Sequence, residues 1–104
     1  MNNIPESDWK YLTKVKDELI ESLCKRINDE ASRIVKDPAF SQHEKYLRPF
    51  RHGLESNKMI ANCFDDWRRS NIILKLLSLR EEGLLTDEYI LRLSEETQGK
   101  IRQV

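Results

Sequence analysis

The apolar residues in the first third of the chain recur every three or four positions. No glycine or proline interrupts residues 8–35, and the apolar side chains follow one another along a single face: Leu12, Val15, Leu19, Leu23, Ile27, Ala31 and Ile34. This spacing is typical of an amphipathic α-helix. The pattern predicts a long first helix over about residues 8–35, roughly 40 Å in length at 1.5 Å per residue.

The next stretch contains two prolines and a glycine, which are residues that interrupt helices. Asp37 precedes Pro38, and the residue before a proline avoids the α region, so the first helix should end here. Pro49 and Gly53 then bracket a short irregular segment. These residues predict a break between the long helices across about residues 37–53.

The helical pattern resumes after the break and continues over about residues 54–82. Gly83, followed by the apolar Leu84, predicts a helix end of the Schellman type. The remaining residues, 84–103, predict a small helical head, and no strand pattern is present. The sequence therefore predicts one all-α domain over residues 1–104.

The composition suggests that these helices need a partner. Of the 104 residues, 38% are apolar and 35% are charged, and a chain this short buries a modest fraction of its surface. We expect a second copy to complete the core, which makes the predicted fold an all-α dimer. The residues expected in the core or the dimer interface are Leu12, Leu19, Leu23, Ile27, Ile73 and Leu77.

The charge balance argues against a dedicated nucleic-acid binder. Lysine and arginine together number 18, as do aspartate and glutamate, so the net charge is zero. Nucleic-acid affinity comes largely from a basic excess that neutralises phosphates. A nucleic-acid-associated accessory protein that uses Arg48, Arg51, Arg68 and Arg69 is the first alternative.

No constellation for catalysis or metal binding is visible. The histidines, His43 and His52, have no nucleophile or carboxylate at a recognisable spacing. Cys24 and Cys63 lie far apart and lack the paired spacing of zinc ligands. We expect no enzymatic activity, no cofactor and no metal, and two reduced thiols.

The sequence shows no targeting or membrane pattern. Residues 1–7 are polar, unlike a signal peptide, and no apolar run approaches the roughly 20 residues that cross a bilayer. We expect the cytoplasm as the compartment and no association with a membrane.

Aromatic and basic residues gather around the irregular segment. Such a combination is typical of protein-binding hot spots. The candidate partner-binding residues are Tyr46, Arg48, Phe50, Arg51, His52 and Lys58.

The C-terminal part of the chain resembles the fluorescence recovery protein family of cyanobacteria. The resemblance lies in the run Asp66-Trp67-Arg68-Arg69-Ser70-Asn71-Ile72-Ile73, then Glu82-Gly83-Leu84, and later Gln98-Gly99-Lys100-Ile101. It covers about residues 65–102, and the order of long and short helices also agrees with the family.

This resemblance implies an all-α, dimeric regulator without a cofactor. Members of the family bind the orange carotenoid protein and speed its return from the active to the resting form. A regulator of that kind works by differential affinity for two states of its partner.

The functional patch of the family is not matched. That patch reads roughly Trp-x-x-His-Asp with a downstream Arg, whereas residues 42–51 of this chain read QHEKYLRPFR and contain neither the Trp nor the His-Asp pair. The difference indicates a related scaffold with a partner other than the orange carotenoid protein. The second alternative is a structural oligomerisation module, because such modules show a similar helix, glycine and acidic-helix arrangement.

Overall fold

The computed structural model describes residues 3–102 and contains only helices and their connections in that range. The α-helices are α1 (Glu6–Lys36), α2 (Gln42–Phe64), α3 (Ile72–Glu81), α4 (Asp87–Ile90) and α5 (Glu95–Arg102). A 3₁₀ turn over Arg69–Asn71 leads into α3. The predicted all-α class is confirmed. None of the helices in residues 3–102 combines the length and the apolar character that crossing a membrane would require.

The apolar face of α1 is buried within a single chain. Leu12, Leu19 and Leu23 are 0% exposed, and they belong to one core that also contains residues of α2 and of the head, which comprises α3, α4 and α5. The premise that this face needs a second subunit is therefore wrong for these three leucines. Of the other predicted core residues, Ile73 is buried, whereas Ile27 and Leu77 are half-buried against the same core.

Helix α2 begins earlier than the sequence pattern suggested. The predicted break over residues 37–53 is wrong, because only residues 37–41 separate α1 from α2, and α2 continues through Pro49 and Gly53. The hydroxyl of Ser41 accepts a hydrogen bond from the Glu44 amide at 3.2 Å and so caps the new helix. A proline inside a helix costs about 3 kcal/mol, and we attribute its tolerance to the packing of α2 along α1.

The actual break lies further along the chain. The predicted helix over residues 54–82 is interrupted, because α2 ends at Phe64 and α3 begins at Ile72. Asp66 adopts a left-handed backbone conformation with φ of 57°. The Asn71 side-chain amide donates to the Asp66 carbonyl at 3.2 Å and to its carboxylate at 3.0 Å. Aspartate tolerates this conformation better than most residues because its short polar side chain can bond locally.

The end of α3 follows the predicted Schellman arrangement. Gly83 has φ of 74°, the left-handed region that glycine adopts without strain. The Leu84 amide donates to the Leu79 carbonyl at 2.9 Å, and the Gly83 amide donates to the Arg80 carbonyl at 3.0 Å. These two bonds are those that define the motif. They turn the chain into residues 84–103, the segment that the sequence predicted as the head. Residue 103 lies outside the described residues, and the head as the structure has it also includes α3.

The head is attached to the beginning of α1 by a buried carboxylate. Asp8 is 3% exposed. It accepts hydrogen bonds from the Ser94 amide at 2.9 Å and from the Ser94 and Thr97 hydroxyls, each at 2.6 Å. Because Ser94 directly precedes α5, Asp8 fixes the start of that helix against α1.

A second attachment involves an arginine of the turn before α3. The Arg69 guanidinium donates to the Ile4 carbonyl at 2.7 and 3.0 Å and to the Glu6 carboxylate at 2.6 Å. The Lys100 ammonium also donates to the Asn3 carbonyl at 2.8 Å. The first turn of α1 and the residues before it therefore anchor both the turn that precedes the head and helix α5 within it.

Replacing Asp8 with alanine should destabilise the protein by about 2–3 kcal/mol, because the buried Thr97 hydroxyl and the half-buried Ser94 hydroxyl would lose a charged acceptor. Urea unfolding followed by circular dichroism measures the change. The control is Asp17→Ala on an exposed position of α1, which should change stability by less than about 0.5 kcal/mol. Equal effects of the two substitutions would show that the Asp8 network does not hold the head.

Replacing Pro49 with alanine should stabilise the protein by about 1–3 kcal/mol. The substitution restores an amide donor to the middle of a helix, and this gain is partly offset by a more flexible unfolded chain. The same unfolding experiment applies. A neutral or destabilising result would favour the irregular segment that the sequence pattern predicted over the continuous helix.

Candidate protein-binding surface

Three large apolar side chains form a row on the outer face of α2. Tyr46, Phe50 and Leu54 are spaced four residues apart, which places them on one face of a helix. Their exposed fractions are 71%, 61% and 51%. We call these three residues the α2 stripe. Exposed apolar groups in such a row are typical of a surface that binds another protein.

Basic side chains border the α2 stripe along one edge. Arg51 and Lys58 are exposed and lie seven residues apart, which is two helical turns. The Lys58 ammonium lies 3.5 Å from the Glu55 carboxylate, with both side chains more than 70% exposed. A pair this exposed contributes little to stability, so Lys58 remains available to a partner.

Arg48 lies near the turn that joins α1 to α2. Its guanidinium is 3.2 Å from the Glu44 carboxylate and 4.1 Å above the Phe40 ring. An arginine over an aromatic face makes a favourable cation–π contact. Arg48 therefore has a structural role in the helical hairpin formed by α1 and α2, in addition to its predicted role in partner binding.

His52 points away from the α2 stripe. Its Nε2 lies 2.9 Å from the Ile27 carbonyl of α1, and the ring is half-buried. The structure therefore separates His52 from the exposed Tyr46 and Phe50. The His52 side chain connects α2 to α1 instead.

A groove of about 620 Å³ runs along the hairpin beside His52. Its floor includes Ile27 and Met59, and its rim carries charged residues of α1. The rim charges are paired within the chain: Lys25 lies 2.7 Å from Asp29, and Arg33 lies 2.6 Å from Glu30. The Arg33 hydrogen bond lowers the pKa of Glu30. The described residues of the groove therefore include no cluster of unpaired side chains with the same charge, which a charged ligand would require.

The arginines proposed for nucleic-acid binding are mostly engaged within the chain. Arg69 binds Ile4 and Glu6 as described above. Arg68 donates to the Asp66 carboxylate at 3.0 Å and lowers the pKa of that carboxyl. With Arg48 beside Glu44, three of the four arginines have an acidic partner, and Arg69 is held in addition by the Ile4 carbonyl.

The part of the chain that the structure describes contains no group of three or more His, Cys, Asp or Glu side chains that could hold a metal ion. Both cysteines are free. Burial raises the pKa of the Cys63 thiol, which makes it a poor nucleophile because the thiolate is the reactive form.

Leu54 is the member of the α2 stripe that the sequence analysis missed. The predicted helix began at residue 54, so its place in a row with Tyr46 and Phe50 was hidden by the expected break. The spacing of four residues was a signal, but Pro49 and Gly53 argued against reading one helix through it.

Comparison of the chain with known protein families, curated proteins and solved structures finds no match.

Proposed function

We propose that this chain is a non-enzymatic, cytoplasmic and dimeric regulator, similar to the fluorescence recovery protein, that binds one state of a protein partner other than the orange carotenoid protein. The observation that supports this function most directly is the exposed face of α2. That face combines two exposed aromatic residues with an exposed arginine, Arg51, and these residue types contribute most to binding energy in protein interfaces.

The position of this face on α2 also suits a regulator. The core contains the α1 leucines and the C-terminal end of α2, and Tyr46, Phe50 and Leu54 do not belong to it. The aromatic side chains are therefore not needed for folding in the way that core residues are. Preferential binding to one state of a partner would shift that partner's equilibrium by the difference in affinity alone.

The partner-binding proposal can be tested by charge reversal on α2. Immobilised wild-type protein should capture a specific protein from a lysate of the source organism, identified by mass spectrometry. Arg51→Glu should reduce its recovery by about tenfold, because a central arginine contact is worth more than 1 kcal/mol. The matched control is Lys10→Glu, which changes the net charge equally at an exposed position of α1.

One result would move the proposed binding surface, and two would contradict the proposed function. Equal recovery with both variants would place the contact elsewhere. Recovery of the chain's own polypeptide alone would favour the structural oligomerisation module. Recovery of nucleic acid, with an affinity that falls steeply as salt rises, would favour the nucleic-acid alternative.

A further inference from the structure

A second groove, with a volume of about 610 Å³, lies between the first half of α1 and α4. Volumes of about 300–1,000 Å³ are usual for sites that bind small molecules. The residues that line this groove come from α1 and from residues 88–92, and none of them belongs to the α2 stripe. The groove is therefore separate from the surface that we propose for the protein partner.

Two half-buried tyrosines line this groove. Tyr11 of α1 and Tyr89 of α4 pack against the core. The Tyr89 hydroxyl donates to the Glu18 carboxylate at 3.0 Å, whereas the Tyr11 hydroxyl has no hydrogen bond to a described residue. Burial raises the pKa of both tyrosines, so each hydroxyl keeps its proton at neutral pH. The Tyr11 hydroxyl is thus a donor whose position is set by core packing and whose proton is not used within the described chain.

Charged side chains of both signs surround the groove. Lys14 lies one turn after Tyr11 on α1, and Glu88 and Arg92 lie on the other side of the groove. All three are exposed, and none of them forms an ion pair with another described residue. The groove beside His52 differs, because the rim charges described above are paired within the chain. The groove at α4 thus offers a ligand one unpaired carboxylate and two unpaired cations.

The two charges on the α4 side lie next to each other. The Leu91 amide donates to the Asp87 carbonyl at 2.9 Å, and the Arg92 amide donates to the Tyr89 carbonyl at 3.2 Å. These bonds continue the helical turn from α4 to Arg92. Side chains four residues apart are neighbours on a helix, so the carboxylate of Glu88 and the guanidinium of Arg92 are presented side by side.

We infer that this groove binds a small zwitterion, a molecule that carries an ammonium and a carboxylate close together, such as a free amino acid with a large apolar side chain. The two charges of an amino acid are attached to one carbon atom, which matches the neighbouring opposite charges of Glu88 and Arg92. Bonds between ionised groups of this kind are stronger than bonds between neutral groups.

The tyrosine hydroxyl adds a second contact for the carboxylate of the ligand. Burial has the largest effect on the pKa of Tyr11, and the nearby Arg92 guanidinium partly opposes it by lowering that pKa. Arg92 and the Tyr11 hydroxyl therefore face the same part of the groove. A carboxylate bound there would accept hydrogen bonds from both groups, while the ammonium of the ligand would lie against Glu88.

An exposed leucine favours a ligand with a large apolar side chain. Leu91 is 66% exposed, and it lines the groove together with Val15 of α1. Covering an apolar side chain of the protein with an apolar group of the ligand is favourable. The charges alone would accept any small zwitterion, so the contact with Leu91 is what distinguishes a bulky amino acid from glycine.

Titration of the ¹⁵N-labelled full chain with L-phenylalanine, followed by NMR, tests the site. The amide signals of residues 11–18 and 88–92 should shift and saturate, with a dissociation constant of about 1 mM or below. Two matched probes each lack one charge: phenethylamine has only the ammonium, and 3-phenylpropionate has only the carboxylate. Each should bind at least about tenfold more weakly, because one contact between ionised groups is lost.

Substitutions in the groove locate the two contacts. Glu88→Gln and Arg92→Gln should each weaken the binding of L-phenylalanine about tenfold, because each removes one charge that the ligand contacts. The matched controls are Glu95→Gln and Arg102→Gln, which remove the same charges at exposed positions of α5. The controls should bind L-phenylalanine as the wild type does, and all four variants should keep the helical circular dichroism spectrum.

Each contrary result would overturn this inference. Absence of saturable shifts up to about 20 mM L-phenylalanine would show that the groove is not a site for such a ligand. Equally tight binding of phenethylamine would indicate a site for cations, and equally tight binding of 3-phenylpropionate would indicate a site for anions. Unchanged binding by both Glu88→Gln and Arg92→Gln would place the ligand elsewhere. None of these results bears on the α2 stripe, which the recovery of a protein partner tests separately.

Discussion

The structure depends on the burial of one apolar face of α1 by two different parts of the same chain. The long row of aliphatic side chains on α1 cannot be covered by a single helix of the length of α2. The head supplies the remaining cover, and its side chains join the same core, including Leu79, Ile90 and Ile101. Apolar burial of this kind is the main favourable contribution to folding, and it explains how a chain with 35% charged residues still forms a closed core.

Polar contacts position the head on that core. Asp8 connects the two ends of the described chain, since its contact joins residues 8 and 94, and Arg69 connects the beginning of the chain to the turn before α3 through Ile4. A buried carboxylate such as that of Asp8 is tolerated only with partners, so its contacts are specific to one arrangement of the head. Tyr89 adds a further link through its hydroxyl, which donates to Glu18 at 3.0 Å.

Much of this fold could be predicted from the spacing of apolar residues. The extent of α1, the Schellman end at Gly83 and the helical head all followed from helical periodicity and glycine chemistry. The error lay in the connections, because Pro49 and Gly53 were given more weight than packing against α1, and the left-handed Asp66 has no glycine or proline to announce it. The same error affected the candidate surface: the sequence analysis identified Tyr46 and Phe50 but missed Leu54, and it did not separate His52, which lies on the side of α2 that faces α1. Side-chain direction on α2 depends on the helix being continuous, which local signals alone did not indicate.

The apolar face of α1 serves folding within one chain, and it is separate from the outer face of α2. The α1 leucines are buried within one chain, whereas the outer face of α2 is exposed and is the surface that we propose for contacts with other molecules. Hydrogen exchange at the amides of residues 12–23, measured at a protein concentration at which sedimentation shows a single chain, tests this claim most directly. We predict strong protection of these amides in the monomer. Exchange as fast as in an unfolded chain would show that the core forms only when two chains associate, and would contradict the account.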